Sequence, residues 1–185
     1  MKYVYVFFAE GFEEIEALTV VDLLRRADIA VKMVALGQEE SVTGSHGIRV
    51  QMDTSLKQIS LTAAKLLVLP GGMPGTKKLG ACGELTAMLR EADRQKIMIA
   101  AICAAPMVLG DLGILAGKRA VCYPGHEARL TGAQICRAAV VVDGHITTSR
   151  GMGTAIDFGL SLVEQISGRE ESERIRKAII YGNLS

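Results

Sequence analysis

Short apolar runs alternate with amphipathic segments along the chain. Runs rich in aliphatic, β-branched and aromatic residues predict buried strands, and they occupy 3–8, 30–36, 64–72 and 96–102. Segments with helical period lie between or after them, at 13–27, near 83–95, and at 104–115, 155–166 and about 170–181. Two Gly-containing stretches predict hairpins, at 41–53 and at 140–148, where Asp143-Gly144 forms the turn.

This order of elements predicts an α/β fold. Alternating strands and helices favour a mostly parallel sheet covered by helices on both faces. A chain of 185 residues favours one domain over 1–185, and we expect a capping box at Thr154–Asp157 to open the helix that follows. Ligands bind beyond the carboxyl ends of parallel strands, so the loops at 10–16, at 71–75 and after residue 102 are the candidate site.

Composition narrows the function classes. The formal net charge is +1 with no basic run, and aromatic residues are 4% with no Trp, so we expect no nucleic-acid partner. No apolar run approaches the ~20 residues of a membrane span, and the short run after Lys2 does not fit a signal peptide. Four cysteines without CxxC or zinc spacing indicate reduced thiols, a cytoplasmic location and no metal.

Cys103 lies where a predicted strand ends and a predicted helix begins. A nucleophile elbow needs small residues two positions before and after the nucleophile, and Ala101 and Ala105 occupy those positions. The amino terminus of a helix also favours a thiolate. A cysteine among alanines is equally typical of a protein core, so the residues alone leave both interpretations open.

Glu16 is out of place on its helix. On a helical wheel of 13–27 it lies inside the apolar arc, between Leu23 and Ala27. Burial would disfavour its ionised form and raise its pKa, and a protonated carboxyl can donate a hydrogen bond to a thiolate or move a proton for a substrate. The alternative is that Glu16 reaches solvent or pairs with an arginine.

Two further features bear on a site. Gly71 and Gly72 follow a predicted strand, where glycine lets backbone N–H groups approach a ligand closely. The N–H groups of Gly72 and Ala104 could form an oxyanion hole, although an ordinary turn explains the glycines equally well. The histidines are typical of surface loops, but His126 could reach a site through its loop. No phosphate loop or metal-ligand spacing occurs, so we expect no cofactor.

Several segments together resemble a known family. They are AEGFEEIEALTVVDLLRRADI (9–29), VLPGGMPG (68–75), AAICAAPMVL (100–109), CYPGHE (122–127) and TSRGMGTAIDFGLSLVEQISG (148–168). In this order and spacing the set is similar to the ThiJ/PfpI superfamily, closest to the branch of the parkinsonism-associated protein deglycase and bacterial YajL. The resemblance implies a flavodoxin-like three-layer sandwich, a domain of the class I glutamine amidotransferase type and a homodimer.

The resemblance also implies roles for residues. Cys103 would be a reactive cysteine of low pKa, Glu16 a protonated carboxylic acid beside it, and Gly72 and Ala104 the backbone donors around the thiolate. Ala104 stands where the protease-like branch has histidine, and no His-x-Glu of the amidotransferases occurs, so neither activity is expected. The expected pocket or rim residues are Gly71, Tyr123, His126, Arg150 and His46. Tyr123 replaces a histidine of the parkinsonism-associated relative, and tyrosine is a poor base near neutral pH.

These features support two functions of different kinds. The first is an enzyme in which Cys103 attacks a small carbonyl substrate, a 2-oxoaldehyde such as methylglyoxal, without glutathione or metal. Such glyoxalase or deglycase-like chemistry would belong to oxidative and carbonyl stress. The second is a redox sensor or stress chaperone that acts through oxidation of Cys103. A third interpretation, in which Cys103 only fills the core, stays open.

Overall fold

The computed structural model describes residues 2–182 and is organised around a seven-stranded sheet. Numbered in chain order, its strands are β1 (Tyr3–Phe8), β2 (Val31–Ala35), β5 (Thr54–Ser55), β6 (Ala64–Leu69), β7 (Met98–Ile102), β10 (Val140–Asp143) and β11 (Ile146–Ser149). Their order across the sheet is β10-β11-β7-β6-β1-β2-β5. All neighbours are parallel except the β10–β11 hairpin, which confirms the predicted mostly parallel sheet.

Helices cover both faces of this sheet. One layer is formed by α1 (Glu14–Arg26), α5 (Ala155–Ser167) and α6 (Arg169–Ala178), and the other by α2 (Gly75–Ala81), α3 (Gly83–Arg94) and α4 (Pro106–Asp111). Because side chains alternate across a strand, β1 contributes side chains to the hydrophobic cores on both faces of the sheet. Phe7 packs with Leu85 and Val108 on one side, and Phe8 packs with Leu24 and Phe158 on the other. The fold is therefore the flavodoxin-like three-layer sandwich.

Two small sheets lie outside the main one. The predicted hairpin at 41–53 forms from β3 (Ser41–Thr43) and β4 (Arg49–Gln51), which pair antiparallel. The second sheet, β8 (Arg119–Ala120) with β9 (Gln134–Ile135), is parallel and was not predicted. Two-residue strands carry too little periodicity to be recognised in a sequence.

Some predicted boundaries differ from the structure. Helix α4 starts at Pro106 rather than residue 104 because the turn at residue 103 occupies the preceding positions. Helix α2 was missed, since GTKKLGA contains two glycines and a short apolar face. The capping box was wrong: Thr154 Oγ1 donates to the Gly151 carbonyl at 2.8 Å and makes no cap hydrogen bond on α5.

The topology brings three loops to one edge of the sheet. Strands β1, β6 and β7 are adjacent and parallel at its centre, so their carboxyl ends face the same way. The loops that follow them carry the start of α1, the Gly71-Gly72 turn and Cys103. This is the edge at which ligands of such folds bind. Within 2–182, none of the helices has the length and apolar character needed to cross a membrane.

Candidate active site

Cys103 occupies a sharp turn between β7 and α4. Its φ is +64°, a left-handed conformation that residues other than glycine rarely adopt and that is strained. Two neighbours clamp the turn: the Cys103 N–H donates to the Ser149 carbonyl at 3.0 Å, and its own carbonyl accepts the Tyr123 N–H at 2.8 Å. Ala101 and Ala105 are fully buried on either side, whereas Cys103 is half-buried. The sulfur is therefore held on an elbow with access to solvent.

Glu16 lies beside this elbow and is 1% exposed, so it is buried on the apolar arc of the helical wheel and does not reach solvent. The Gly71 N–H donates to its Oε2 at 2.9 Å. Burial raises the pKa of Glu16 to about 7, and the opposing hydrogen bonds with Cys103 and Gly71 offset burial only in part. Glu16 consequently exists in both protonation states near neutral pH, which suits a group that gives and takes protons.

The two glycines of the 71–72 turn are required by close contacts. A Cβ on Gly71 would lie 2.5 Å from Glu16 Oε2 and 2.6 Å from the Cys103 Cβ. Gly72 has φ +92°, and a Cβ there would lie 2.4 Å from the Glu13 nitrogen. The absence of a side chain lets the backbone reach the sulfur, so the N–H groups of Gly72 and Ala104 act on the Cys103 thiol and favour its ionised form.

Taken together, the surroundings of Cys103 nevertheless disfavour the thiolate form in the resting protein. Burial, followed by the negative charge of ionised Glu16, raises the pKa of Cys103 to about 12, against the backbone donors Ala104 and Gly72. This differs from the low thiol pKa that the resemblance implied. The physical reasons are burial, which disfavours the charged thiolate, and then Glu16, which ionises first and repels a second charge. The arrangement is suited to a carboxylate that accepts the thiol proton while the sulfur attacks an electrophile.

Tyr123 and His126 lie on the loop that clamps Cys103. Tyr123 is 51% exposed, and its ring lies 3.3 Å from where a Cβ of Gly151 would be. The half-buried His126 ring is 6.1 Å from that of Tyr123, centroid to centroid, and lines a cavity with Met73 and Met107. Tyr123 thus adjoins the elbow through its backbone, and His126 lies on the side of α2 and α4; their expected role at the rim stays a prediction.

Arg150 and His46, the other expected rim residues, are placed differently from Tyr123 and His126. Arg150 lines a cavity with Cys122 and Glu127, and His46 lies over the start of α1, where its Nδ1 is 2.9 Å from Glu14 Oε2. Within 2–182, no hydrogen bond joins either side chain to Cys103. Their expected role at the rim of the site therefore stays a prediction.

Glu14 is a buried acid that the sequence did not reveal. It is 3% exposed because the 44–48 turn folds over it. It accepts the backbone N–H of His46 at 2.7 Å and that of Ile48 at 3.5 Å. Burial raises its pKa, but these bonds and the His46 ring outweigh burial and hold it at about 2.

Glu14, Glu13 and His46 offer ligand atoms within 4.8 Å of one another, an arrangement open to a cation. The oxygens of Glu14 are already engaged by the 44–48 turn, so its evident role is to anchor that turn. Contacts between the turn and α1 are non-local, and no periodicity or motif in the sequence signals them.

The fold and the elbow define a class of protein, an α/β sandwich with a cysteine on a strained turn at the edge of its sheet. The DJ-1/PfpI family model matches residues 2–165. The chain belongs to the DJ-1/PfpI family.

Individual relatives agree with this assignment. Protein DJ-1 homolog A of Arabidopsis thaliana is 37% identical over 182 residues, 97% of this chain; the chain spans less than half of that relative, 46%. The glutathione-independent glyoxalase DJR-1.2 of Caenorhabditis elegans is 33% identical over 172 residues, 92% of this chain and 91% of the relative. The structure of oxidized Toxoplasma gondii DJ-1 superposes with a TM-score of 0.94 at 34% identity, covering 99% of this chain and 100% of that one.

Proposed function

We propose that this protein is a cysteine-dependent enzyme that converts 2-oxoaldehydes such as methylglyoxal to 2-hydroxy acids without glutathione. The observation that carries the proposal is the strained Cys103 elbow with a buried Glu16 carboxyl of pKa about 7 beside it. The Caenorhabditis elegans relative named as a glutathione-independent glyoxalase supports the same chemistry. Deglycase-like action on glycated amines would use the same first step.

The first step joins sulfur to the aldehyde carbon. Ionised Glu16 takes the thiol proton while Cys103 Sγ forms a bond to C1, and the C1 carbonyl electron pair moves onto oxygen. The N–H groups of Gly72 and Ala104 border the sulfur and stabilise the negative oxygen. Glu16 then returns its proton to that oxygen, which leaves a hemithioacetal and restores the carboxylate.

The second step moves hydrogen within the adduct. Glu16 removes the proton from C1, and the electron pair forms a C1–C2 double bond while the C2 carbonyl pair moves onto its oxygen. Glu16 then returns the proton to C2 and the C1 hydroxyl proton passes to the C2 oxygen, which gives a 2-hydroxy thioester. C1 is oxidised and C2 is reduced, so no external oxidant is needed. Water then cleaves the C–S bond, which releases the 2-hydroxy acid and restores the thiol. Methylglyoxal plus water equals lactic acid, so the atoms balance.

The test is a methylglyoxal-to-lactate assay on the wild type and Cys103→Ser, with Cys82→Ser as the matched control at another half-buried cysteine. We expect Cys103→Ser to fall to the background rate and Cys82→Ser to keep wild-type turnover. Turnover in Cys103→Ser equal to that of the wild type would refute the mechanism.

We further propose that the protein acts as a homodimer. Large apolar side chains are exposed at the start of α1 and on the adjoining 44–48 turn, with Ile15 at 50% and Ile48 at 53% exposure. Covering them with a second copy would remove this apolar surface from water. Sedimentation of the wild type and Ile15→Asp tests this: a dimer that dissociates in the variant supports it, and a monomeric wild type contradicts it.

Oxidation of Cys103 is the second candidate function. The half-buried Cys103 adjoins a carboxyl that can hydrogen-bond to an oxidised product, and the similar structure from Toxoplasma gondii is that of oxidized DJ-1. Mass spectrometry after dilute peroxide separates the outcomes. Oxygen added selectively at Cys103 supports sensing, whereas uniform oxidation of all four cysteines argues against it.

A further inference from the structure

Four polar side-chain atoms from two distant segments converge beside the start of α1. They are the Oε2 atoms of Glu13 and Glu14 and, from the 44–48 turn, Ser45 Oγ and His46 Nδ1. The hydroxyl oxygen lies 3.1 Å from Glu13 Oε2, 3.2 Å from Glu14 Oε2 and 3.1 Å from Nδ1. Nδ1 in turn lies 2.9 Å from Glu14 Oε2 and 3.7 Å from Glu13 Oε2. We refer to these atoms as the four-atom cluster.

Hydrogen bonds alone do not account for the four-atom cluster. The Ser45 hydroxyl has one proton, and Nδ1 of His46 carries at most one. Two protons can lie along two of the five short separations, so the other three bring two electronegative atoms to 3.7 Å or less with no proton between them. A single cation among the four atoms attracts all of them at once.

The charges of the cluster are also unbalanced. The side chain of Glu13 is 16% exposed and that of Glu14 is 4% exposed, and carboxylates removed from water need a positive partner. Within 2–182, His46 is the one cationic group within 4.0 Å of either carboxylate, and it supplies at most one positive charge against two negative ones. A divalent cation in place of the imidazole proton balances both carboxylates.

The backbone holds the 44–48 turn in position for this role. The N–H of Ser45 donates to the Phe12 carbonyl at 2.8 Å, and Gly44 allows the close approach, because a Cβ there would collide with the carboxyl carbon of Glu14. The Oε1 atom of Glu14 accepts the backbone N–H groups of the turn, which leaves Oε2 for the cluster. Anchoring the turn and binding a cation therefore use different oxygens of the same carboxylate.

The donor set selects the kind of cation. Ca²⁺ and Mg²⁺ take six or more ligands that are almost all oxygens, whereas an imidazole nitrogen together with carboxylate oxygens suits Zn²⁺. In a tetrahedral zinc site with bonds of about 2.0–2.1 Å, the ligand atoms are about 3.3–3.4 Å from one another. The five separations of the four-atom cluster, from 2.9 to 3.7 Å, lie around this value.

We propose that Glu13, Glu14 and His46 form a zinc site, with Ser45 Oγ at the fourth position, and that bound Zn²⁺ ties the 44–48 turn to the start of α1. The imidazole gives up its Nδ1 proton when the ion binds. No step of the proposed carbonyl chemistry passes through this ion, so the inference goes beyond the proposed function and does not depend on it.

The test is calorimetric titration of chelator-treated protein with Zn²⁺, on the wild type, His46→Gln and Glu13→Gln. The His46 side chain is 68% exposed, so its replacement removes a ligand with little loss of packing. We expect the wild type to bind one Zn²⁺ and each variant to bind it at least roughly 100-fold more weakly, since even the groups behind the ligands contribute about 10–100-fold to affinity. Absence of binding in the wild type, or wild-type affinity in either variant, overturns the proposal.

Two control variants and one spectrum locate the ion. Cys103→Ser and His126→Gln should keep the wild-type affinity, because neither residue belongs to the four-atom cluster; a loss in either would place the ion elsewhere and overturn the proposal. X-ray absorption of the zinc-bound wild type should show nitrogen and oxygen neighbours at about 2.0 Å and no sulfur at about 2.3 Å. A sulfur neighbour would assign the ion to a cysteine and refute the site. None of these measurements needs turnover, so they stay informative if the proposed enzyme activity fails.

Discussion

The buried carboxyl of Glu16 makes the stability of the protein depend on pH. Its pKa rises from 4.5 to about 7 on folding, which corresponds to about 3 kcal/mol at ~1.4 kcal/mol per pKa unit. Between pH 4.5 and 7 the folded protein holds a proton that the unfolded chain releases. The folded state binds more protons, so the free energy of unfolding falls as pH rises through this window.

Glu16→Gln removes this ionisation while keeping the shape of the side chain and an oxygen for the Gly71 N–H. We expect the wild type to lose about 2.5 kcal/mol more than Glu16→Gln between pH 5 and pH 8, because the unfolded carboxyl is already partly ionised at pH 5. For a chain of this size that difference corresponds to roughly 5–10 °C in melting temperature. Urea unfolding followed by circular dichroism at each pH measures it.

The control is Glu164→Gln, which changes an exposed glutamate on α5 and should follow the wild-type pH profile. Parallel profiles for the wild type and Glu16→Gln would refute the reasoning, because they would show that Glu16 ionises in the folded protein as easily as in the unfolded chain. Glu16 would then be fully ionised near pH 7, without the protonated form on which the proposed catalysis also depends.

Two further predictions follow from contacts around the site. Gly71→Ala forces a Cβ into contact with Glu16 and Cys103, and we expect it to abolish the proposed methylglyoxal turnover and cost about 1–3 kcal/mol of stability. Gly83→Ala, where a Cβ meets nothing within 4 Å, should stay within about 0.5 kcal/mol of the wild type, and equal effects of the two variants would contradict the contact. Glu14→Gln should speed hydrogen exchange of the His46 and Ile48 amides roughly tenfold at pH 7, because it removes the negative charge that these donors face. Exchange as slow as in the wild type would show that Glu14 does not anchor the 44–48 turn.

Much of the fold follows from local pattern. The apolar runs and helical periods predicted the central strands and most of the helices, because burial on one or both faces leaves a period in the sequence. The same reasoning singled out Glu16, a charged residue on an apolar arc, and the structure buries it at 1% exposure. The small residues around Cys103 were compatible with a tight turn and with a core position, and the φ of +64° shows the tight turn.

Other features depend on contacts between segments that are distant in the chain, so no local sequence pattern predicts them. Glu14 is buried by the 44–48 turn, and the hydroxyl of Thr76 is buried without a hydrogen-bond partner. The thiol pKa also depends on the tertiary structure, because the placement of Glu16 beside Cys103 adds a repulsive charge to the cost of burial. The sequence by itself determined which residues form the layers and which carboxylate is anomalous. Only the tertiary structure decided which charges and hydroxyls face one another, since those energies depend on distance and burial between non-local groups.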